Sequence, residues 1–232
     1  MTQDSETLVK NVKQYFEQNV HDTKNLFHSL NIWLNIPDRN EKKDKIQFML
    51  QELEGTYLKK ITELRDAFDQ FFSVTTESTD ITKLDPLAPW LTDRLENYWN
   101  EYEISGELIK EFDRSASLSY PVPYLRSIIR SLLDNAVLYR SEDRDLVVRV
   151  TLARKGDDKV LLQFEDNGIG IDVEQHRHAL FQPFQRFSNR GEGRGLSLHL
   201  IKTMVEKNGG RIELVSYFNK GTSITLFLKS YE

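Results

Sequence analysis

The chain has 232 residues, 39% of them apolar, which is enough for one domain of ordinary size plus a smaller element. Its 31 basic and 36 acidic residues are interspersed and leave a formal charge of -5, which excludes the basic footprint of a nucleic-acid-binding surface. There is no cysteine, so disulfides and thiolate metal sites are excluded, and no apolar run approaches the roughly 20 residues of a membrane span.

The polar start Met1-Thr2-Gln3-Asp4-Ser5-Glu6 has no signal-peptide pattern, so a cytoplasmic segment without membrane contact is expected, alone or as part of a longer protein. From Leu8 to Leu34, Val9, Val12, Phe16, Val20, Phe27, Leu30 and Leu34 recur mostly at steps of three and four, which predicts a long amphipathic helix. Pro37-Asp38-Arg39-Asn40 breaks it, and Ile46, Leu50, Leu53, Tyr57, Ile61, Leu64, Phe68 and Phe71 carry a second long pattern. Two helices of about 30 residues cannot bury such wide stripes against each other alone. A homodimer, with a four-helix bundle built from two such hairpins, is the expected architecture, and packing of the hairpin onto its own C-terminal domain is the competitor.

Thr75-Thr76-Glu77-Ser78-Thr79-Asp80 loses this periodicity and marks a boundary, giving a hairpin domain at 1–76 and a second domain at 77–232. In the second, helices are predicted over Leu87 to Trp99, Val122 to Tyr139 and Gly195 to Lys207. Strands are predicted over Glu107 to Phe112, Leu146 to Leu152, Lys159 to Glu165, Arg211 to Tyr217 and Thr222 to Leu228, with a turn at Lys155-Gly156-Asp157-Asp158. Strands with interspersed helices imply an α/β sandwich of the α+β type with one helical layer.

The densest chemical signal lies after the Lys159 strand, in Asp166-Asn167-Gly168-Ile169-Gly170. A carboxylate held at a strand end can select adenine by accepting its amino hydrogen, and Gly168 and Gly170 permit unusual backbone angles and close approach. Gly191-Glu192-Gly193-Arg194-Gly195 precedes a helix, where amides of Gly193 and Gly195 can hold phosphate oxygens. The ending of a Walker A loop is missing. Asn135, flanked by Leu132, Leu133 and Ala136, can direct an amide oxygen at Mg²⁺, a hard cation that prefers oxygen. On the first long helix, His21 is a candidate nucleophile toward the terminal phosphorus of ATP, because a neutral imidazole has a free lone pair. Asp22 beside it can orient the ring or take its proton, and Asn25, one turn on, can position water or a partner carboxylate. His28 is the rival on nearly the same face, but lacks both neighbours.

Residues 80–232 resemble the ATP-binding domain shared by sensor histidine kinases and the chaperone and type II topoisomerase ATPases. The helix around Asn135 resembles the family's asparagine box, Asp166 to Gly170 the first glycine box, and Phe181-Gln182-Pro183-Phe184 the aromatic box of its lid. Gly191 to Leu196 resembles the second glycine box, and Asn208-Gly209-Gly210-Arg211-Ile212 followed by Lys220-Gly221-Thr222 the usual ending; His21-Asp22-Thr23-Lys24-Asn25 resembles the histidine box. The resemblance implies ATP and Mg²⁺ as cofactors and a lid at 171–194. It further implies autophosphorylation of His21 and transfer of the phosphoryl group to an aspartate of a response-regulator receiver domain, with phosphatase action as a further activity. The pattern departs at Leu26, where a proline is common, at Ser131, where an asparagine is common, and at Leu138, where a lysine is common. Arg140, Arg186 or Arg194 are the candidates to replace the lost charge. The alternative function is a degenerate kinase-like scaffold with weak or absent autokinase activity.

Overall fold

The computed structural model describes residues 80–156, 158–188 and 195–231. The chain separates into two units, Met1–Ser73 and Val74–Glu232, and the described residues all belong to the second. The expected hairpin at 1–76, its intermolecular bundle, and the candidates His21, Asp22, Asn25, Gly191, Gly193 and Arg194 lie outside the described residues.

The second unit begins with strand β1 (Ile81–Leu84) and helix α1 (Leu87–Glu101). Strands β2 (Gly106–Phe112) and β3 (Leu118–Pro121) then lead into helix α2 (Val122–Leu138). Strands β4 (Leu146–Arg154) and β5 (Lys159–Asp166) are followed by a single helical turn, α3 (Val173–His176). Helix α4 (Ser197–Lys207) and strands β6 (Arg211–Tyr217) and β7 (Gly221–Lys229) close the domain. The three long helices and five of the seven strands stand where apolar periodicity puts them, within two residues at each end. Helix α4 starts at Ser197, two residues later than expected, with Leu196 at its N-cap.

Five strands form one mixed sheet in the order β2-β4-β5-β7-β6, while β1 and β3 pair separately as an antiparallel ribbon. Strand β2 runs parallel to β4, and every other neighbour in the large sheet is antiparallel. A parallel pair cannot be closed by a tight turn, and β3 with α2 supplies the long connection between β2 and β4.

Alternation sends one set of side chains to the helices. Val148, Val150 and Leu152 of β4, Leu162 and Phe164 of β5, and Ile224, Leu226 and Leu228 of β7 are all buried. The helices bury Leu87, Leu91 and Leu95 of α1, Leu125, Ile128 and Leu132 of α2, and Leu200, Ile201 and Met204 of α4, each set on one helix face. Each such aliphatic side chain contributes roughly 1.5–3 kcal/mol through burial. The residues between them on the strands, such as Arg149, Gln163 and Thr225, are only partly covered, so the α+β reading with one helical layer holds for this domain.

Candidate nucleotide site

Asp166 is the last residue of the central strand β5, with Val148 of β4 on one side and Thr222 of β7 on the other. Burial pushes its carboxyl up to about 6; the N–H groups of Gly168 and Thr222 and the charge of Arg144 act in the opposite direction. The Gly168 N–H donates to Oδ1 at 2.8 Å. An ionised carboxylate offers about four acceptor positions, so the two backbone donors leave capacity for an amino group. The remaining acceptor positions therefore fit the amino edge of adenine.

The glycines beside Asp166 are required by the protein's own backbone. A Cβ at Gly168 would lie 2.4 Å from the Tyr139 carbonyl oxygen and 2.8 Å from Asp166 Oδ1. Its φ is not in the left-handed region, so close approach is its reason, and the expected unusual angle falls to Gly170 alone. Gly170 has φ +64°, and a Cβ there would stand 2.1 Å from the Tyr217 carbonyl oxygen. The Ile169 N–H donates to the Tyr139 carbonyl at 2.9 Å, which docks this loop onto the end of α2. Asn135 is one turn before Tyr139 on that helix, half-buried, and its carbonyl accepts the Tyr139 N–H at 3.0 Å. The loop thus brings the C-terminal end of α2, which carries Asn135, against the strand end that carries Asp166.

Thr222 belongs to a small polar network. Ser216, 5% exposed, donates to the Gly221 carbonyl at 2.9 Å and lies 2.9 Å from Thr222 Oγ1. With the Ser216 proton directed at Gly221, Thr222 is the donor of that pair and keeps its own lone pairs for a ligand. The Ile171 N–H donates to Ser216 Oγ at 2.7 Å, so the same hydroxyl ties the start of the expected lid to β6. Asn167 is structural: its Oδ1 accepts from Val147 N–H and its Nδ2 donates to the Asp145 carbonyl, both at 2.9 Å.

Of the expected lid, residues 171–188 are described. Asp172 caps α3 by accepting the Gln175 N–H at 3.1 Å. Leu180 and Pro183 are buried, whereas Phe181, Phe184 and Phe187 are half-buried. His199 of α4 bonds the Phe181 carbonyl through Nδ1 at 3.0 Å, and Lys202 stands over the Phe181 ring at 5.5 Å. Gly195 adjoins the same segment: a Cβ on it would be 2.5 Å from the Gln185 carbonyl oxygen. Leu196, at the N-cap of α4, has no side-chain acceptor for the first N–H groups of that helix, which suits a bound anion there. Arg186 is exposed, and its charge partly offsets the burial that pushes up the phenol of Tyr139, the residue after Leu138.

Ser131 is buried at 8% exposure, and Leu138 is 37% exposed. Two contributors escaped the sequence reading. Arg144 sits in the run Ser141-Glu142-Asp143-Arg144-Asp145, which reads as a solvated turn, and Ser216 reads as an ordinary polar position of an alternating strand.

A strand-end carboxylate stands beside a glycine loop on a mixed sheet with one helical layer. The family model described as Histidine kinase-, DNA gyrase B-, and HSP90-like ATPase matches residues 122–232. Residues 122–232 are therefore a histidine-kinase-family ATPase catalytic domain. The alginate biosynthesis sensor protein KinB of Pseudomonas aeruginosa is 34% identical over 104 residues, 45% of this chain and 17% of KinB. The circadian input-output histidine kinase CikA of Synechococcus elongatus is 36% identical over 108 residues, 45% of this chain and 14% of CikA. The mycobacterial sensor histidine kinase MprB has a similar fold, with TM-score 0.54 and 24% identity over 64% of this chain and 97% of that one. The match thus spans less than a fifth of these two curated relatives' own lengths. No helix among the described residues is long and apolar enough to cross a membrane.

Proposed function

We propose that the chain is an ATP-dependent protein histidine kinase that phosphorylates His21 and passes the phosphoryl group to an aspartate of a response-regulator receiver domain. The observation that carries this reading is the half-buried Asp166 carboxylate at the end of β5, beside a glycine loop docked on the helix of Asn135. Similarity to sensor histidine kinases over the same residues supports it.

Asp166 accepts the purine amino group, helped by the Thr222 hydroxyl. The amides at Gly191, Gly193 and Gly195 and the start of α4 meet phosphate oxygens, with Arg186 and Arg194 in the lid at 171–194 contributing charge where the family has a lysine at the position of Leu138. The amide oxygen of Asn135 would hold Mg²⁺, a hard cation that prefers oxygen ligands. When bound, ATP supplies the γ-phosphoryl group and Mg²⁺ offsets the charge that builds on its oxygens. His21 offers the lone pair, Asp22 takes the ring proton as the N–P bond forms and the bond to the ADP leaving oxygen breaks, and Asn25 positions the acceptor in the second transfer. A homodimer through the hairpins and a cytoplasmic location complete the proposal.

A second reading, a phosphotransfer scaffold with weak autokinase activity, draws on Leu138, which offers no phosphate donor, and on Ser131, which is too buried and too short to replace an asparagine. Incubation with γ-labelled ATP separates the readings. Alkali-stable, acid-labile label on the protein is the expected result. No label, with acceptance of phosphate from a phosphorylated regulator, would support the scaffold; release of phosphate without label would leave an ATPase.

A further inference from the structure

Arg144 lies on the surface between α2 and β4 with Glu142, Asp143 and Asp145 as neighbours in the chain, yet its guanidinium is spent on backbone. Its Nε donates to the Asn167 carbonyl at 2.6 Å, and its Nη2 donates to the carbonyls of Gly168 and Asn219, both at 2.8 Å. Asn167 and Gly168 directly follow Asp166, and Asn219 is in the turn between β6 and β7, three residues before Thr222. One fork therefore joins the loop on one side of Asp166 to the turn that feeds the strand on its other side.

The joint it closes has little tolerance. The Asn219 N–H donates to the Ile169 carbonyl at 2.6 Å, and Asn219 holds φ +60°, a conformation that costs a non-glycine residue energy. A Cβ at Gly170 would collide with the carbonyl oxygens of both Tyr217 and Gly221. A planar guanidinium with fixed N–H directions can bridge carbonyls in this way; a lysine ammonium on a flexible stem is less suited to it. Among the described residues, Arg144 is also the charged side chain whose field favours the ionised form of Asp166. From β7 and the glycine loop Asp166 meets backbone N–H groups, and its β4 neighbour Val148 carries no charge.

We propose that Arg144 is a positioning residue for nucleotide recognition, clamping the glycine loop to the β6–β7 turn and so fixing the Asp166 carboxylate and the Thr222 hydroxyl on either side of the purine amino edge. The inference rests on the reading of Asp166 as the adenine acceptor.

The test uses the full 232-residue chain, the variants R144Q and R144K, and calorimetric titration with a non-hydrolysable ATP analogue and Mg²⁺ between pH 5 and pH 8. Circular dichroism reports on folding. At pH 7.5, R144Q should bind about tenfold more weakly or worse, the scale of lost hydrogen bonds from a charged donor. The pH at which its binding falls to half should lie above that of the parent, because the positive charge near Asp166 is gone. R144K should keep the parental pH midpoint and lose affinity by a smaller factor. A folded R144Q with parental affinity overturns the proposal, and so does weaker binding with an unmoved midpoint, which would make Arg144 a brace of the fold only. If R144Q does not fold, R144K decides, and parental affinity in it overturns the clamp. Absence of binding by the parent itself refutes the nucleotide reading and takes this proposal with it.

Discussion

At Asp166, burial and recognition make opposite demands. Accepting an amino hydrogen calls for the ionised form, yet burial pushes the carboxyl up to about 6. Affinity for an ATP analogue should therefore be level above about pH 7 and weaken as pH falls through 6, approaching tenfold per pH unit. Calorimetry across pH 5 to 8 reads this directly, and a flat profile would detach Asp166 from the purine. Asp166→Asn, at pH 7.5, should lose about 1.5–3 kcal/mol of binding free energy while its circular dichroism stays that of the parent. Stability carries the same signature with a definite sign. The folded state holds the Asp166 proton more tightly than the unfolded chain, whose ordinary value is about 3.9. This contribution is fully present below about pH 4 and is lost as pH rises through 6, on the order of 3 kcal/mol. Because other groups titrate too, the quantity to measure is the difference in urea midpoint between parent and Asp166→Asn, which should shift in the mutant's favour between pH 4 and pH 7. A difference independent of pH would contradict the upward shift of the Asp166 carboxyl.

Among the elements, the loop between β5 and α3 is where backbone geometry and site coincide. Gly170→Ala places a Cβ against the Tyr217 carbonyl oxygen in a left-handed conformation, and a backbone atom locked in β6 cannot yield. A loss of about 3 kcal/mol or more is expected. Gly209→Ala is the control: its φ is +72°, but the nearest atom to the new Cβ is the flexible Lys229 Cδ at 3.4 Å, so only the conformational cost of about 1 kcal/mol applies. Thermal unfolding of both variants checks the contrast, and equal losses would mean that contact with the β6–β7 turn is not what fixes the loop. The same comparison shows what the sequence could disclose. Periodicity exposed α1, α2, α4 and the five long strands, of which β4, β5 and β7 bury one face against the helices. Strands β1 and β3 have four residues each, too few for alternation to register, and α3 is a single turn. The parallel pairing of β2 with β4 depends on a connection through β3 and α2 that no local pattern records. Asp166 and the glycines were legible because their residue types are unusual at such spacing. Arg144 and Ser216 were not, because an arginine in a charged turn and a serine in a strand acquire their roles only when distant carbonyls and amides come within bonding distance.

For the molecule as a whole, the nucleotide domain alone gives no reason for the helical hairpin expected at 1–76. The stripe Ile46, Leu50, Leu53, Tyr57, Ile61, Leu64 and Phe68 predicts association, and light scattering at micromolar concentration should report about twice the chain mass of 27.2 kDa. A clean monomer there would remove the intermolecular bundle. The chemistry is tested by the acceptor residues. His21→Gln should abolish γ-phosphate labelling and leave ATP-analogue affinity unchanged, since it removes the nucleophile but nothing in the domain that carries Asp166. Asp22→Asn should slow labelling at parental affinity, because its proposed part concerns the ring proton and ring orientation during attack and not the nucleotide. His28→Gln should have the smaller effect, for His28 has Ser29 beside it where His21 has an acid. Labelling rates, with the modified residue located by mass spectrometry under non-acidic conditions, rank the three variants. If the His21 variant still accepts phosphate at His28 at the parental rate, the nucleophile is His28, and Asp22 and Asn25 lose their proposed roles with it.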